Sequence, residues 1–284
     1  MIFSSQGKTF ILNKETLIMG ILNVTPDSFS DGGKFNSIDL AFEHAKTLVT
    51  QGAHIIDIGG QSTRPGHEEV DLTTEINRVI PIIKKISKEL DCIISIDTYR
   101  AEVAEAAIKA GAHIINDVWG LQKDNGEMAR IAAKYNCVVI AMHNQDSKIY
   151  EEDIILSIKK FFKKTFEIAE KNGLNPNKII IDPGIGFGKG YDENIEVLNR
   201  LKELNFIAPI LLGVSKKGFI GKDLNLNPND RVEGTIAVNT LGILNGAKII
   251  RVHNVLEHKK ALSIIDKLFI ILKVIKLRRA SSLS

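Results

Sequence analysis

The fold is indicated most clearly by residues 93–117, which read IISIDTYRAEVAEAAIKAGAHIIND. A short β-branched run (93–96) is followed by a stretch with apolar residues at helical spacing (101–110), then by Gly111 and a second apolar run (113–115). Short apolar runs with little alternation are typical of strands buried on both faces. A glycine after the last apolar position is a common helix stop. We therefore predict a strand–helix–strand unit with the right-handed crossover of parallel sheets.

The same unit recurs along the whole chain of 284 residues. The predicted strands are 17–22, 54–58, 93–96, 113–115, 138–142, 178–181, 210–214 and 248–252. The predicted helices are 38–49, 74–90, 101–110, 128–135, 154–171, 194–204, 230–244 and 256–275. Eight alternating units in one chain of this length indicate an α/β fold, a single (β/α)8 barrel domain rather than an open sheet. Residues 2–12 are predicted to form a small hairpin that closes the bottom of the barrel, and residues 276–284 a flexible tail.

The composition is that of an ordinary globular chain, with 44% hydrophobic and 25% charged residues. It excludes collagen-like and disordered classes, and no apolar run reaches the roughly 18–20 residues of a membrane span. The 37 basic and 34 acidic residues nearly balance, so charge gives no argument for a nucleic-acid partner. Cys92 and Cys137 have no metal-ligand neighbours and are expected to be reduced core thiols. The N-terminus lacks a secretory signal pattern, which makes the cytosol the expected location.

Hydrogen-bonding and titratable groups follow every predicted strand. They are Asn23, Asp57, Asp97, Asn116 with Asp117, His143, Asp182, Ser215 with Lys216, Lys217 and Gly218, and Arg251 with His253. In a barrel the carboxyl ends of the strands converge on one mouth, where active sites lie. A single Asp or Asn after a strand is often only a helix cap, and a lone histidine is more often a core residue than a ligand. Caps alone do not explain the basic residues after the seventh and eighth strands.

The cationic and hydrogen-bond-accepting side chains expected at the barrel mouth together indicate which kind of ligand binds there. The cations at strands seven and eight are Lys217, Arg251 and His253, where barrels of this type usually bind phosphate. The acceptors aimed at the same mouth are Asp97, Asn116 and Asp182, which suit a flat heterocycle with adjacent N–H donors. No nucleophile–base pair stands out, so a covalent protein intermediate is not expected. No histidine or cysteine cluster offers a tight metal site, which favours a loosely held Mg²⁺ carried mainly by a diphosphate.

Seven segments in order carry a resemblance to the dihydropteroate synthase family of the folate pathway. They are MGILNVTPDSFSDGG (19–33), DIGGQSTRPG (57–66), SIDTYR (95–100), IINDVWG (114–120), DPGIGFGKG (182–190), GVSKKGFIG (213–221) and RVHNV (251–255). The resemblance extends over about residues 17–265, nearly the whole chain. Any one segment would be modest evidence, whereas all seven in order identify the chain as similar to this family throughout.

The resemblance implies a reaction and a set of site residues. The amine of p-aminobenzoate would displace the diphosphate of 6-hydroxymethyl-7,8-dihydropterin diphosphate by an SN1-like path, with Mg²⁺ as cofactor, in a homodimer formed through the outer helices. By the same resemblance the pterin is held by Asp97, Asn116, Asp182 and Lys217, of which Asp97 and Lys217 are the expected catalytic residues. Asn23 is expected to contact Mg²⁺, and the diphosphate is expected to meet Thr63, Arg64, Arg251 and His253. The p-aminobenzoate pocket is expected to be bordered by Pro65, Phe187, Lys189, Ser215 and Gly218.

The chain departs from the family pattern at three positions. Gln61 stands where the family usually has Glu, Lys216 where it has Arg, and Gly218 where it has Ser. These changes are expected to alter affinity more than reaction class. Two other functions stay open: a corrinoid-linked methyltransferase that acts on methyltetrahydrofolate, which would not need the STRPG and SKKG segments, and a non-catalytic pterin-binding protein, which the departures Gln61 and Gly218 support.

Overall fold

The computed structural model describes residues 1–12, 15–25, 34–61, 69–222 and 224–281. Its strands are β1 (Ile2–Ser5), β2 (Lys8–Ile11), β3 (Leu17–Asn23), β4 (Ile55–Gly59), β5 (Ile93–Asp97), β6 (Ile114–Asp117), β7 (Val138–Met142), β8 (Ile179–Asp182), β9 (Ile210–Leu212) and β10 (Ala247–Val252). Its α-helices are α1 (Lys34–Thr50), α2 (Leu72–Glu89), α3 (Ala101–Ala110), α4 (Glu127–Lys134), α5 (Ile154–Lys171), α6 (Tyr191–Asn199), α7 (Gly218–Gly221), α8 (Val232–Leu244) and α9 (Val255–Ser281). Short 3-10 helices cover Pro176–Lys178, Leu201–Leu204 and Pro228–Asp230.

Strands β3 to β10 form a closed parallel barrel in chain order, and β10 closes it by pairing with β3. The helices between the strands lie outside the barrel, so both faces of every strand are covered. This arrangement confirms the predicted (β/α)8 barrel, and the predicted strand bounds agree with the structure within two residues. Gly111 ends α3 in the left-handed conformation with φ 118°, as expected of a helix-stopping glycine.

The barrel interior is built in layers from alternate strands, an arrangement general to this fold. One apolar layer consists of Ile55 on β4, Ile114 on β6, Ile180 on β8 and Ile249 on β10. Two residues further along the same strands come Asp57, Asn116, Asp182 and Arg251. Since side chains two apart on a strand share a face, these four also point inward. The interior therefore changes from apolar to polar in a single step towards the carboxyl ends of the strands.

The hairpin of β1 and β2 closes the opposite end. The two strands pair antiparallel with Phe3 opposite Phe10, and the phenyl rings stack with centroids 5.4 Å apart. Gln6 and Gly7 in the turn both have positive φ, which suits the right-handed twist of a two-residue hairpin. Both phenylalanines belong to the same apolar cluster as the inward isoleucines. The predicted plug at the bottom of the barrel is therefore confirmed.

The helices differ from prediction mainly at their ends. The predicted helix 194–204 is divided into α6 and a 3-10 helix, because Arg200 leaves the helical conformation (φ −101°, ψ 11°). The predicted helix 230–244 begins at Val232, and the separate four-residue α7 precedes it. Helix α9 continues to Ser281, beyond the predicted end at residue 275, while the flexibility of the tail stays a prediction. Across the described ranges no helix has the length and apolar character that a membrane crossing requires.

Candidate active site

The polar layer at the carboxyl ends of the strands is joined through one carboxylate oxygen. Oδ2 of Asp57 accepts the Nε–H of Arg251 at 2.6 Å and the Nδ2–H of Asn116 at 3.1 Å. Nη2 of Arg251 donates to Oδ2 of Asp97 at 2.7 Å. Asp57 is completely buried and Asp97 is 5% exposed. One guanidinium therefore bridges two buried carboxylates at the centre of the mouth.

Burial dominates the electrostatics of this group. It raises the pKa of Asp97 above its usual range, against the attraction of Arg251, and the charge of Asp57 raises that pKa further. Burial works against the charge of Arg251, yet the two carboxylates hold its pKa above the ordinary value. The Oδ1 atoms of Asp57 and Asp97 are buried and have no hydrogen-bond partner among the residues that the structure describes. Unpaired buried acceptors of this kind cost about 1–3 kcal/mol each, and a ligand that brings N–H donors or positive charge relieves that cost.

Asp182 provides a further carboxylate on the other side of the mouth. Its Oδ1 accepts the backbone N–H of Gly184 at 2.8 Å. Its Oδ2 lies 3.5 Å from the place where a side chain on Gly213 would begin, so the absence of a side chain there keeps the space beside this oxygen open. Burial raises the pKa of Asp182, and the charges of Lys217 and Arg251 lower it. The site thus presents carboxylate acceptors from two sides.

Lys217 reaches from the end of β9 to the loop that follows β8. Its Nζ donates to the carbonyl oxygen of Ile185 and lies 4.6 Å from the centroid of the Phe187 ring. Gly186, between those two residues, has φ +82°, and a Cβ there would lie 3.0 Å from Cδ of Lys217. A glycine is therefore needed for the lysine to cross the loop. The structure brings together Lys217 and Phe187, which the sequence assigned to the pterin and to p-aminobenzoate.

Lys189 is buried, with 4% of its surface exposed. Its Nζ lies 2.8 Å from Nδ1 of His143 and donates to the carbonyl oxygens of Gly184 and Phe187, both at 3.0 Å. Burial lowers the pKa of Lys189 to about 7, which the charge of Asp182 opposes. Burial, with Lys189 beside it, lowers the pKa of His143 to about 2. Lys189 thus borders the mouth and holds the backbone of the loop in place, and His143 is a buried core histidine with a partner, the interpretation that the sequence favoured over a ligand.

The ends of β9 and β10 are tied together by Ser215 and His253. Oγ of Ser215 accepts the backbone N–H of His253 at 3.2 Å and lies 2.9 Å from its Nδ1. Gly218 begins α7, and a Cβ at this position would meet nothing within 4 Å. The residues assigned to diphosphate and to p-aminobenzoate therefore lie next to one another on this side of the mouth.

Asn23 is the residue expected to contact Mg²⁺. It is exposed at the end of β3 and pairs in register with Gly59. Its Oδ1 and the Cβ of Asp97 both lie 3.7 Å from the place where a side chain on Gly59 would begin. An amide oxygen is a suitable Mg²⁺ ligand, and in the part of the chain that the structure describes no three acidic, histidine or cysteine residues could hold a metal together. These residues fit a magnesium ion that takes most of its ligands from a bound diphosphate.

Thr63, Arg64 and Pro65 lie outside the described residues, and their roles stay predictions. The chain that leads to them is firmly held, since Nη1 of Arg78 donates to the carbonyl oxygen of Gly60 at 2.8 Å. Gln61, one of the three departures, is 3% exposed, and none of the described residues is a hydrogen-bond partner of its Nε2.

Asp57 is absent from the substrate contacts expected from the sequence, although it links Asn116 and Arg251. The sequence does contain a pattern that points to it. The segments GAHIID (52–57), GAHIIN (111–116) and GAKIIR (246–251) share one pattern of glycine, alanine, a polar residue and two isoleucines. The last residues of the three segments are Asp57, Asn116 and Arg251. Because β4, β6 and β10 are alternate strands of the barrel, these last residues meet in one layer.

Comparison with known proteins shows that the chain is similar to pterin-binding enzymes. The sequence model of the pterin binding enzyme family matches residues 19–253. The dihydropteroate synthase of Clostridium beijerinckii is 51% identical over 264 residues, which cover 92% of this chain and 97% of that protein. The dihydropteroate synthase of Bacillus subtilis is 48% identical over 89% of this chain and 88% of that protein.

Solved structures agree with the sequence relatives. The dihydropteroate synthase of Clostridium difficile, solved in the presence of pteroic acid, superposes with a TM-score of 0.89 at 55% identity and covers 92% of this chain and 99% of its own. The enzyme of Xanthomonas albilineans with 4-aminobenzoic acid gives a TM-score of 0.89 at 35% identity, over 94% of this chain and 97% of its own.

Proposed function

Because this chain belongs to the dihydropteroate synthase family of pterin-binding enzymes, we propose that it joins p-aminobenzoate to 6-hydroxymethyl-7,8-dihydropterin diphosphate, giving 7,8-dihydropteroate and diphosphate. It is a transferase that works on small molecules. The observation that carries the proposal is the polar layer above the four isoleucines, where two buried carboxylate oxygens receive no hydrogen bond from any residue in the described ranges. A pterin ring is flat and carries adjacent N–H donors, which is the complement of such a set of acceptors.

The pterin is held by acceptors from two sides of the mouth. Asp182 takes the paired N–H donors of the aminopyrimidine ring, and Asn116 contacts the ring edge from β6. Lys217 donates to the ring from above the β8–α6 loop, where its ammonium is already held by a carbonyl oxygen and the face of Phe187. Each of these groups is fixed by a strand end or by a second contact, so the site is ordered before the ligand arrives.

The chemistry requires stabilisation of opposite charges at two places. The bond between the pterin methylene carbon and the diphosphate oxygen breaks, its electron pair leaves with the diphosphate, and a cationic methylene remains. The carboxylate of Asp97 favours that cation, whereas Lys217, Arg251 and His253 favour the departing anion. The amine of p-aminobenzoate then forms the new C–N bond and releases its proton to solvent. When bound, Mg²⁺ neutralises charge on the diphosphate, and Asn23 is the described residue that would hold it.

A direct assay tests the proposal. The purified protein is incubated with the pterin diphosphate, Mg²⁺ and p-aminobenzoate, and 7,8-dihydropteroate and released diphosphate are quantified together. Formation of both in equal amounts is the expected result. Methyl transfer from methyltetrahydrofolate to a corrinoid protein, without dihydropteroate, would identify the methyltransferase alternative. Binding of pteroic acid by calorimetry without any turnover would identify the non-catalytic alternative.

We also propose that the protein is a homodimer formed through α8 and α9. These two helices pack against each other and carry exposed apolar side chains. They are Leu241, Leu244, Leu256, Ile264 and Leu268. Single exposed apolar residues are normal on a monomer, but five on two adjacent helices suit a surface that a second copy covers. The cytosolic location stays a prediction.

A further inference from the structure

We infer that Asp57 is a positioning residue of the pterin site, which sets the orientation of Asn116 and Arg251 and therefore controls binding of the pterin substrate. The inference rests on the proposed function. Asp57 is linked to β6 and β10 through a single oxygen, Oδ2, and it is completely buried. It is the only residue within the described ranges that hydrogen-bonds to both Asn116 and Arg251 through its side chain.

The contact with Asn116 decides which way that amide faces. A carboxylate can only accept hydrogen bonds, so it selects the Nδ2 side of the amide. The Oδ1 of Asn116 is thereby turned away from Asp57 and kept as an acceptor for a ligand. If Asp57 became an amide, both orientations of Asn116 could find a partner, and the acceptor would no longer be fixed.

The contact with Arg251 fixes the plane of a guanidinium. Asp57 holds Nε and Asp97 holds Nη2, at 2.6 and 2.7 Å, so the planar group is gripped at two separate points. With both contacts in place the guanidinium cannot rotate about the Cδ–Nε bond, whereas a single contact would leave that rotation free. By holding Nε of Arg251, Asp57 keeps the guanidinium on Oδ2 of Asp97 and leaves Oδ1 of Asp97 for a substrate.

Stability does not account for a carboxylate at this position. A buried ion pair is often no better for stability than apolar residues of similar volume, because the charges lose their hydration. Two residues earlier on the same strand the chain places Ile55, in a layer made entirely of isoleucine on the alternate strands. An apolar residue was therefore compatible with this part of the barrel, and the carboxylate with its unpartnered Oδ1 points to a role in ligand binding.

Asp57 also belongs to the charged surroundings of Asp97. The groups that face Asp97 are Arg251 from β10, Asp57 from β4, Glu75 from α2 and Asp117 from β6. The negative charge of Asp57 adds to burial in raising the pKa of Asp97, while Arg251 lowers it. Removal of that charge frees Arg251 to pair more fully with Asp97. Both changes lower the pKa of Asp97.

The test is the isosteric variant Asp57→Asn, with each substrate varied in turn across a range of pH. We expect the KM for the pterin diphosphate to rise and the corresponding kcat/KM to fall by about tenfold to a hundredfold, the effect of a lost charged hydrogen bond. The KM for p-aminobenzoate should stay within about twofold. Because Asp97 acts as a carboxylate, activity falls when it is protonated, and the acid limb of the kcat/KM profile should move to lower pH in the variant. A purely structural role would not move this limb.

The matched control is Ser95→Ala. Ser95 pairs in register with Asp57 on the neighbouring strand and is fully buried, and its hydroxyl has no hydrogen-bond partner in the described part of the chain. This variant should retain the kinetics and the pH profile of the wild type. An Asp57→Asn enzyme with the pterin KM and acid limb of the wild type would overturn the inference.

A second variant covers the case in which Asp57→Asn does not fold. Arg251→Lys keeps the charge but loses the Nε contact with Asp57. Because Arg251 is also expected to meet the diphosphate, the effect is measured as the calorimetric affinity for pteroic acid, which carries no diphosphate, and that affinity should fall. An affinity equal to that of the wild type would overturn the inference. If the wild type itself forms no dihydropteroate, the proposed function fails, and calorimetry with pteroic acid decides the inference separately. Weaker binding by Asp57→Asn than by Ser95→Ala supports it, and equal binding overturns it.

Discussion

Single residues at the mouth have environments that fit specific chemical tasks. Oδ2 of Asp97 accepts from Arg251, which a second carboxylate shares, while its Oδ1 is buried and has no partner within the ranges that the structure describes. Lys189, in contrast, has two carbonyl oxygens and a histidine nitrogen around its ammonium. Asp97 therefore keeps one acceptor oxygen for a ligand, whereas the ammonium of Lys189 already has three partners within the protein. From this difference we expect Asp97 to act on the substrate and Lys189 to hold the loop in shape.

Asp97→Asn should reduce kcat by more than tenfold, a loss above about 1.4 kcal/mol in transition-state stabilisation. The amide has the shape of the carboxylate but no charge to favour a cationic methylene. Steady-state kinetics with circular dichroism as a check of folding measures the effect. A folded variant that keeps more than about a tenth of kcat would contradict the role assigned to Asp97.

Gly218→Ser should lower the KM for p-aminobenzoate several-fold, about 1 kcal/mol after competition from water. A side chain at Gly218 would enter open space, so the substitution is sterically free. Helix α7 has only four residues and is separate from α8, so the contribution of a helix dipole at Gly218 is small. The control is Gly213→Ser, which places the same side chain beside Asp182 and should instead raise the KM for the pterin substrate. If Gly218→Ser changed only the KM for the pterin substrate, Gly218 would border the pterin and not p-aminobenzoate.

At the scale of elements, the two ends of the barrel are separate in chemistry. The hairpin of β1 and β2 inserts a stacked pair of phenyl rings at the amino end, and the hydrogen-bonded polar groups lie at the carboxyl end. The layer of four isoleucines lies between them. Stability and catalysis should therefore respond to different substitutions.

Phe10→Ala should lower the free energy of unfolding by about 3–5 kcal/mol, the range for removal of a buried phenyl ring. The reason is the cavity left beside Phe3 at the bottom of the barrel. Urea unfolding measures it, and kcat and both KM values should be unchanged. Ile11→Ala on the same strand is the control, because Ile11 is exposed and its loss should cost within about 0.5 kcal/mol. Equal effects of the two variants would show that the hairpin does not contribute to the core.

At the scale of the whole molecule, the exposed apolar side chains of α8 and α9 belong to two helices that pack against each other outside the barrel. Ile264→Glu in the middle of α9 should convert the proposed dimer to a monomer, since a carboxylate would be buried at the contact. Sedimentation velocity over a range of concentrations measures this. Phe206→Glu is the matched control, because Phe206 is exposed but lies outside both helices. A wild type that sediments as a monomer, or equal effects of the two variants, would argue against this interface.

The sequence by itself determined the barrel, the hairpin and the set of strand ends that carry chemistry. These features follow from local patterns: β-branched runs, helical spacing and glycines such as Gly111, whose conformation depends on its own backbone. Chain order then fixes the barrel, because each strand pairs with its neighbour in sequence. For the same reason Asp57, Asn116, Asp182 and Arg251 come together at one end of the barrel, whereas Asp117 instead accepts the backbone N–H groups of Trp119 and Leu121.

Only the tertiary structure decided which members of that group touch. Arg251 meets Asp57 across 194 positions of sequence, and Lys217 meets Ile185 across 32. Such contacts depend on the register at which β10 closes on β3 and on the direction of long side chains, neither of which a local pattern encodes. The burial of Lys189 is decided in the same way, by the His143 that a different strand brings to it. Sequence fixes which groups reach the mouth because that is a property of each strand, and structure fixes their pairing because that is a property of the closed barrel.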